Sequence, residues 1–358
     1  VPAAAEVAVV GGGLVALRVA AGLARAGAQV VLMAPDPDLS SAAERGSGLV
    51  LGGWDDNAWR LTQSLGEARA RELVAWTDRA AAALRLPEDG LLVGALKDSE
   101  ATELTESAAL RRSWGLPGTV TSAAGWAGAV AVRGGAVDPW ALAVQAAAEA
   151  RAAGARLVAE APVHRCEGRD GAHVLHHPAG TLTADLVVLC GDHRHARAWP
   201  WLGDKLRPVR HQLRHHPGVH LDRPVLAQFG YLVAAPGPTG VLLGGCRWAT
   251  PHLEEGEGDA TVVREVVDQK IGALWQGRLV DLSEPPAARW SVISTHTCDG
   301  LPLIGPLPGA PTLVACCGFN GRPHSHALPA ADAVLQGILD GRAEGVPGLF
   351  RPDRFVGG

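Results

Sequence analysis

The chain is poor in several things. It has one methionine and one tyrosine in 358 residues. Beside its abundant alanine, glycine and arginine, that scarcity is a compositional bias without functional meaning. It has no run of lysine or arginine, and 32 basic residues face 37 acidic ones, for a formal charge of −5. A basic stripe that would track nucleic acid or an anionic lipid surface is thereby excluded, and neither is an expected partner. No stretch approaches the ~18 uninterrupted apolar residues of a transmembrane helix. The first apolar run, residues 7–10, follows Glu6 with no basic leader, so no secretory signal is expected. The six cysteines form no CxxC pair, which argues against a disulfide framework and against zinc. Cys316 and Cys317 sit in an apolar run and read as small buried core residues. A reducing cytoplasm is the expected setting, and no metal site is expected.

What is present points to an α/β protein. Apolar residues make up 47% of the chain, enough for a sizeable core. The length suits two domains, or one large α/β domain with an insert. Residues 7–10 read as a buried strand, broken by Gly11-Gly12-Gly13. Residues 14–26 read as an Ala/Leu-rich helix ended by Gly27. Residues 30–33 read as a second strand, which completes a βαβ unit with parallel strands. Further on, residues 59–86 predict one helix, with Leu61, Leu65, Leu73 and Trp76 on a helical period. Helices are also expected over 100–114, 139–153 (Asp138 as N-cap, Pro139 in the first turn), 262–275 and from Gly321 to Leu339. Strands are expected over 156–159, 186–190 and 313–317, with a β-rich stretch at 207–250.

Gly11-x-Gly13-x-x-Ala16 fits a dinucleotide-binding turn. Gly11 permits the tight turn, Gly13 lets the backbone approach a pyrophosphate, and Ala16 allows close helix–strand packing. The pyrophosphate then meets the positive end of the helix. A carboxylate is expected at the end of the second strand, to hold a ribose hydroxyl. Ala34 stands there. Asp36 either substitutes for it or is a turn residue between Pro35 and Pro37.

The C-terminal third carries Asp299-Gly300-Leu301-Pro302-Leu303-Ile304-Gly305-Pro306, then a strand, then Gly318-Phe319-Asn320-Gly321-Arg322. Val137-Asp138-Pro139, Pro162-Val163, residues 186–191, Leu206-Arg207-Pro208-Val209-Arg210-x-Gln212 and the tail 350–355 follow in a familiar order. Together with the glycine turn, these segments resemble the FAD-dependent D-amino-acid oxidase superfamily, in its glycine/sarcosine oxidase-like branch. The resemblance implies an α/β fold in which a Rossmann-like FAD-binding domain, of the glutathione-reductase type, interleaves with an antiparallel-sheet substrate domain. The FAD-binding domain would comprise residues 1–86, 134–206 and 295–358, and the substrate or cap domain 87–133 and 207–294. FAD would be held non-covalently, because the position of the covalent cysteine in sarcosine oxidases falls near Val292. Gly11, Gly12 and Gly13 would face the pyrophosphate, with Leu14, Val15, Asp36 and Gly191 also among the cofactor-binding residues. Val163 would meet the adenine through its backbone. Gly318, Phe319, Asn320, Gly321 and Arg322 would lie near the flavin ring, where the positive end of the following helix can stabilise charge on the reduced ring.

Several positions depart from the family. Ser294 stands five residues before Asp299, where an arginine often clamps a substrate carboxylate. His211 replaces a glycine between Arg210 and Gln212, and Pro323 stands where glycine is common. The candidates near the ring are Arg322, His324, His296 and Tyr231. Arg322 either pairs a substrate anion or the flavin, or forms a structural salt bridge. Either histidine lines the pocket or is incidental, and Tyr231 reads more as a packing ring than as a substrate contact. His211, His215, His216 and His220 match no metal-ligand spacing. Asp56 reads as a helix N-cap in a segment, Trp54 to Asp56, that the family places near the flavin.

The leading expectation is a flavoprotein oxidoreductase that oxidises an amine or amino-acid-like C–N bond to an imine, with oxygen as acceptor and hydrogen peroxide as product. The substrate would be a modified or larger amine and not a plain α-amino acid. The alternative is a non-oxidative, cofactor-poor descendant acting as a binding or partner subunit. An NAD(P)-dependent dehydrogenase explains the βαβ unit but not the C-terminal segments. An oligomer is compatible with either.

Overall fold

A computed structural model describes residues 2–36, 45–169, 171–227, 232–237, 239–278, 282–341 and 346–356. In chain order the elements are β1 (Ala4–Val10), α1 (Leu14–Arg25), β2 (Val30–Met33), β3 (Leu49–Leu51), α2 (Ala58–Leu65), α3 (Glu67–Ala83), β4 (Leu91–Ala95) and α4 (Asp98–Ser113). There follow β5 (Thr119–Thr121), β6 (Gly128–Val132), β7 (Gly134–Ala136), α5 (Pro139–Ala152), β8 (Arg156–Val158), β9 (Arg165–Arg169), β10 (Ala172–His177) and β11 (Gly180–Leu189). The remainder is β12 (Leu206–Pro217), β13 (Val225–Ala227), β14 (Leu232–Gly237), β15 (Gly240–Gly245), α6 (Pro251–Glu254), α7 (Glu265–Trp275), β16 (Ala288–Thr297), β17 (Leu303–Leu307), β18 (Ala310–Cys317) and α8 (Pro323–Asp340).

Two eight-stranded sheets organise these elements. The first runs β17-β18-β11-β1-β2-β8, with β10 and β9 attached to β11. Its centre, β18-β11-β1-β2-β8, is parallel. Val7 to Val10 are buried on both faces, as central parallel strands must be. α1 packs on this sheet and against α8. A Cβ on Gly22 would overlap the Leu335 side chain, so glycine there lets the two helices meet closely. The second sheet runs β16-β12-β15-β14-β13-β4-β6-β5 and is antiparallel except where β13 meets β4. α7 covers one face of it, with Ile271 and Trp275 fully buried.

The βαβ unit forms where expected, and Asp138 caps α5 by accepting from the backbone of Trp140 and Ala141. Two expectations need correction. The single helix over 59–86 is two helices, broken at Gly66, whose φ of +80° suits only glycine. The N-cap of α2 is Asn57, which accepts from the Arg60 N–H at 3.0 Å; Asp56 instead accepts from the Asn57 N–H at 2.9 Å. Among the described residues, no helix is long and apolar enough to cross a membrane.

Candidate active site

The site starts at the β1–α1 turn. Gly11 has a φ of +138°, and a Cβ there would lie 2.6 Å from the carbonyl oxygen of Cys190 at the end of β11. Glycine is thus demanded twice, by the turn and by the close approach of two parallel strands. Gly13 is the N-cap of α1 and offers no side-chain cap, so the first-turn N–H groups need an external acceptor. Gly11, Gly12, Gly13, Leu14 and Val15 all line a cavity of about 610 Å³. An uncapped helix start on a cavity suits a pyrophosphate.

The cavity continues past the carboxyl ends of the first sheet. Ala34 is fully buried, and its N–H donates to Val158, extending the β2–β8 ladder. A carboxylate at that position would be buried too. Asp36 reaches the cavity, but its carboxylate meets Arg194 at 3.3 Å, and Arg194 is held in turn by Asp192 at 2.7 Å. Gly191 lines the same wall, and a Cβ there would overlap the His195 ring. Val163 is buried on the β8–β9 connection and is not part of the cavity lining.

The other end of the cavity lies between the start of α8 and the second sheet. The turn from Gly318 to Gly321 holds three left-handed residues, Gly318, Asn320 and Gly321. Asn320 staples it in place. Its side chain accepts from the Thr297 N–H at 2.9 Å and donates to the Gly318 carbonyl at 2.9 Å. Phe319 stacks on His326 with centroids 5.6 Å apart. Arg322 precedes α8, and its Nε donates to Asp55 at 2.7 Å, so it carries an ion pair on the cavity wall. Pro323 takes the first helical position, where no N–H is needed.

Strand pairing supplies the facing wall. Val292, Ser294 and His296 alternate along β16, and β12 places His211 opposite Val292. His211 and His296 stack, with centroids 5.6 Å apart and planes 24° apart, and the His211 Nε2 lies 2.7 Å from the Ser294 Oγ. Burial first, then the neighbouring His296 and the charges of Arg247 and Arg322, hold His211 well below the usual histidine range. Burial, then nearby arginine charges, brings His296 down to about 3. Burial brings His324 down to about 4. All three are neutral imidazoles at neutral pH.

The sequence named Arg322, His296 and His324 separately, and the structure brings all three to this cavity. Tyr231 lies outside the described residues. The four histidines from 211 to 220 disperse: His215 meets Thr239, His216 accepts from Arg214, and His220 faces Asp222. Among the described residues, no group of three or more metal-ligating side chains is arranged to hold an ion. Arg210 and Gln212 hold the scaffold. Arg210 is fully buried and donates to Glu254 at 2.7 Å, and Gln212 accepts from the Arg264 N–H at 2.7 Å. Sequence reasoning missed Asp55 as the partner of Arg322 and Ser294 as the partner of His211. Alternation along β16 signals the shared face of Ser294 and His296, but not what lies across it.

The family described as FAD dependent oxidoreductase (DAO) matches residues 6–336. Comparison with curated proteins gives no significant match. Glycine oxidase from Geobacillus kaustophilus superposes with a TM-score of 0.79 at 22% identity, covering 99% of both chains. L-proline dehydrogenase from P. horikoshii does so with a TM-score of 0.79 at 17% identity, also covering 99% of both. Fructosyl amine: oxygen oxidoreductase from Aspergillus fumigatus gives 0.76 at 16%, covering 99% of this chain and 91% of that one. With the family matched over residues 6–336 and the glycine turn opening on this cavity, this chain belongs to the DAO family of FAD-dependent oxidoreductases.

Proposed function

We propose that the protein holds FAD non-covalently along this cavity and oxidises the C–N bond of a modified amine or amino-acid-like substrate to an imine, with oxygen as acceptor. One observation carries the reading. A single cavity joins the uncapped starts of α1 and α8 to the face of the second sheet bearing His211, Ser294 and His296. The first helix start suits a pyrophosphate, and the second suits developing negative charge. When bound, FAD would supply the acceptor for the hydride leaving the substrate C–H bond, with the amine N–H proton passing to solvent, and oxygen would take up the two electrons with two protons as hydrogen peroxide.

The chain's own residues bind, orient and exclude water. Phe319 and Trp54 bring apolar surface to the cavity. Ser294 stands where an arginine clamp would be expected, so a plain α-amino acid lacks its carboxylate partner there. Among the similar structures are a glycine oxidase, an L-proline dehydrogenase and a fructosyl amine oxidoreductase, which supports an amine or amino-acid C–N bond as the target. Part of the reading is a division into an FAD-binding portion (1–86, 134–206, 295–358) and a cap (87–133, 207–294). The membership of the two sheets supports it.

The test is the visible spectrum of the purified protein before and after denaturation, followed by anaerobic titration with a panel of amines. Flavin released on denaturation and bleaching by a substituted amine are expected. Fast bleaching by glycine or D-alanine would refute the substrate class. A second reading, a cofactor-poor binding or partner subunit, draws on the buried Ala34 and on the engagement of Asp36 by Arg194. A protein that stays colourless after added FAD would favour it.

A further inference from the structure

We propose that His296 and His324, beside the mutually bonded His211–Ser294 pair, bind a neutral hydrogen-bonding group of the substrate, an amide or hydroxyl close to the oxidised C–N bond. The assignment to a substrate rests on the amine-oxidising reading above.

The first argument is position. A Cβ on Gly321 would lie 3.6 Å from the His211 Nε2 and 3.7 Å from the His296 Nε2. Both imidazole edges therefore lie within van der Waals reach of the turn that leads into α8, on the cavity wall that this turn shares with β12 and β16. His324, in the first turn of α8, lines the same space and is only 4% exposed.

The second is unmet hydrogen bonding. The Nε2 atoms of His296 and His324 are buried and have no hydrogen-bond partner among the described residues. A buried polar nitrogen left without a partner costs stability, and a ligand that supplies one recovers it. The His211 Nε2 is already matched by Ser294. Two nitrogens on side chains of one cavity wall are thus unmatched among the described residues.

The third is charge. Arg194, Arg247 and Arg322 line the cavity, and each carries a carboxylate: Asp192 and Asp36, Glu255 at 3.0 Å, and Asp55 at 2.7 Å. The imidazoles are neutral, so none adds a counter-charge. A carboxylate only accepts hydrogen bonds and would enter this pocket against its existing acids. A neutral imidazole edge either donates or accepts according to tautomer. An amide or hydroxyl also does both, and it brings no charge to desolvate.

The test uses the flavin-loaded protein and ligands that cannot be oxidised as amines. Propionamide and propionate are titrated separately, each followed by the shift of the flavin absorption bands. Propionamide is expected to bind at least about tenfold more tightly, a difference of ~1.4 kcal/mol. His296→Leu is expected to abolish that preference, and His296→Gln, which keeps a polar edge, to retain most of it. Propionate binding as tightly as propionamide, no band shift with either, or an unchanged preference in His296→Leu would each overturn the inference. The amine-oxidising reading is scored separately, by anaerobic bleaching with glycinamide, 2-aminoethanol and glycine. Amide binding with no bleaching by any amine leaves the site standing and refutes that reading. Bleaching fastest with glycine leaves amine oxidation standing and refutes the neutral-group assignment.

Discussion

Asp55→Asn is the perturbation that most directly tests why this cavity disfavours carboxylates. Asp55 accepts from the Arg322 Nε at 2.7 Å, and the two side chains are 34% and 14% exposed. Asparagine keeps the shape and one acceptor but removes the charge. Arg322 then loses the Asp55 charge, at the positive start of α8, where an anion is favoured. A hydrogen bond to a charged group contributes about 1.5–3 kcal/mol. Because Asp55 is a third exposed, solvent screening argues for the lower end, about 1.5 kcal/mol or roughly tenfold in affinity. Propionate titrated into the flavin-loaded variant should therefore bind roughly tenfold more tightly than into the parent, with propionamide little changed. Asp56→Asn is the control. Asp56 accepts from the Asn57 N–H and forms no ion pair with Arg322, so no gain is expected. Unchanged propionate affinity in Asp55→Asn, with propionamide binding intact, would refute the argument that the Arg322–Asp55 pair decides ligand charge.

Three further outcomes are expected. Gly11→Ala places a Cβ 2.6 Å from the Cys190 oxygen at a φ of +138°, which costs at least ~1–3 kcal/mol of backbone strain and should strip flavin from the purified protein. The ratio of flavin to protein absorbance measures this, and a fully loaded variant would refute it. Arg210→Ala or Glu254→Ala should each cost about 3 kcal/mol at most in urea unfolding, because each breaks a fully buried pair while Arg264 at 3.1 Å still compensates Glu254 and Glu257 at 3.6 Å still compensates Arg210, and replacing both should cost less than the sum. Losses below ~1 kcal/mol for both singles would count against a structural role for the pair. Burial holds His324 at about 4 and His326 at about 3, against 6.5 in the unfolded chain. The unfolded chain thus takes up protons that the native one refuses. Stability is fully present above pH 6.5 and is lost as pH falls toward 4, by roughly 1 kcal/mol per unit for each histidine. Thermal unfolding at successive pH values checks this, and His324→Gln should flatten the slope.

The parts of the fold legible in the sequence are those made by neighbours along the chain. The β1–α1–β2 unit depends on a short apolar run, a glycine turn and a helical period, all within one window. The Asp138 cap acts on Trp140 and Ala141, two and three residues away. The break at Gly66 escaped because the apolar period continues on both sides of it, so only the backbone angle separates α2 from α3. Asp56 and Asn57 are both capping residues one position apart, and the helix entry angle chose between them.

The site was legible only as a set of separate candidates. Arg322 and Asp55 are 267 residues apart, Arg194 and Asp36 are 158 apart, and His211 and Ser294 are 83 apart. Each pairing depends on strand order or on where α8 enters the cavity, and no local pattern encodes either. By itself the sequence determined the α/β class, the dinucleotide turn and the residues from which a site could be drawn, because backbone propensity and periodicity act over a few residues. Tertiary structure alone decided that the cavity arginines are matched by acids and that two buried imidazoles have nitrogens without a partner among the described residues. Charge pairing and desolvation depend on distances that exist only once remote strands and helices have packed together.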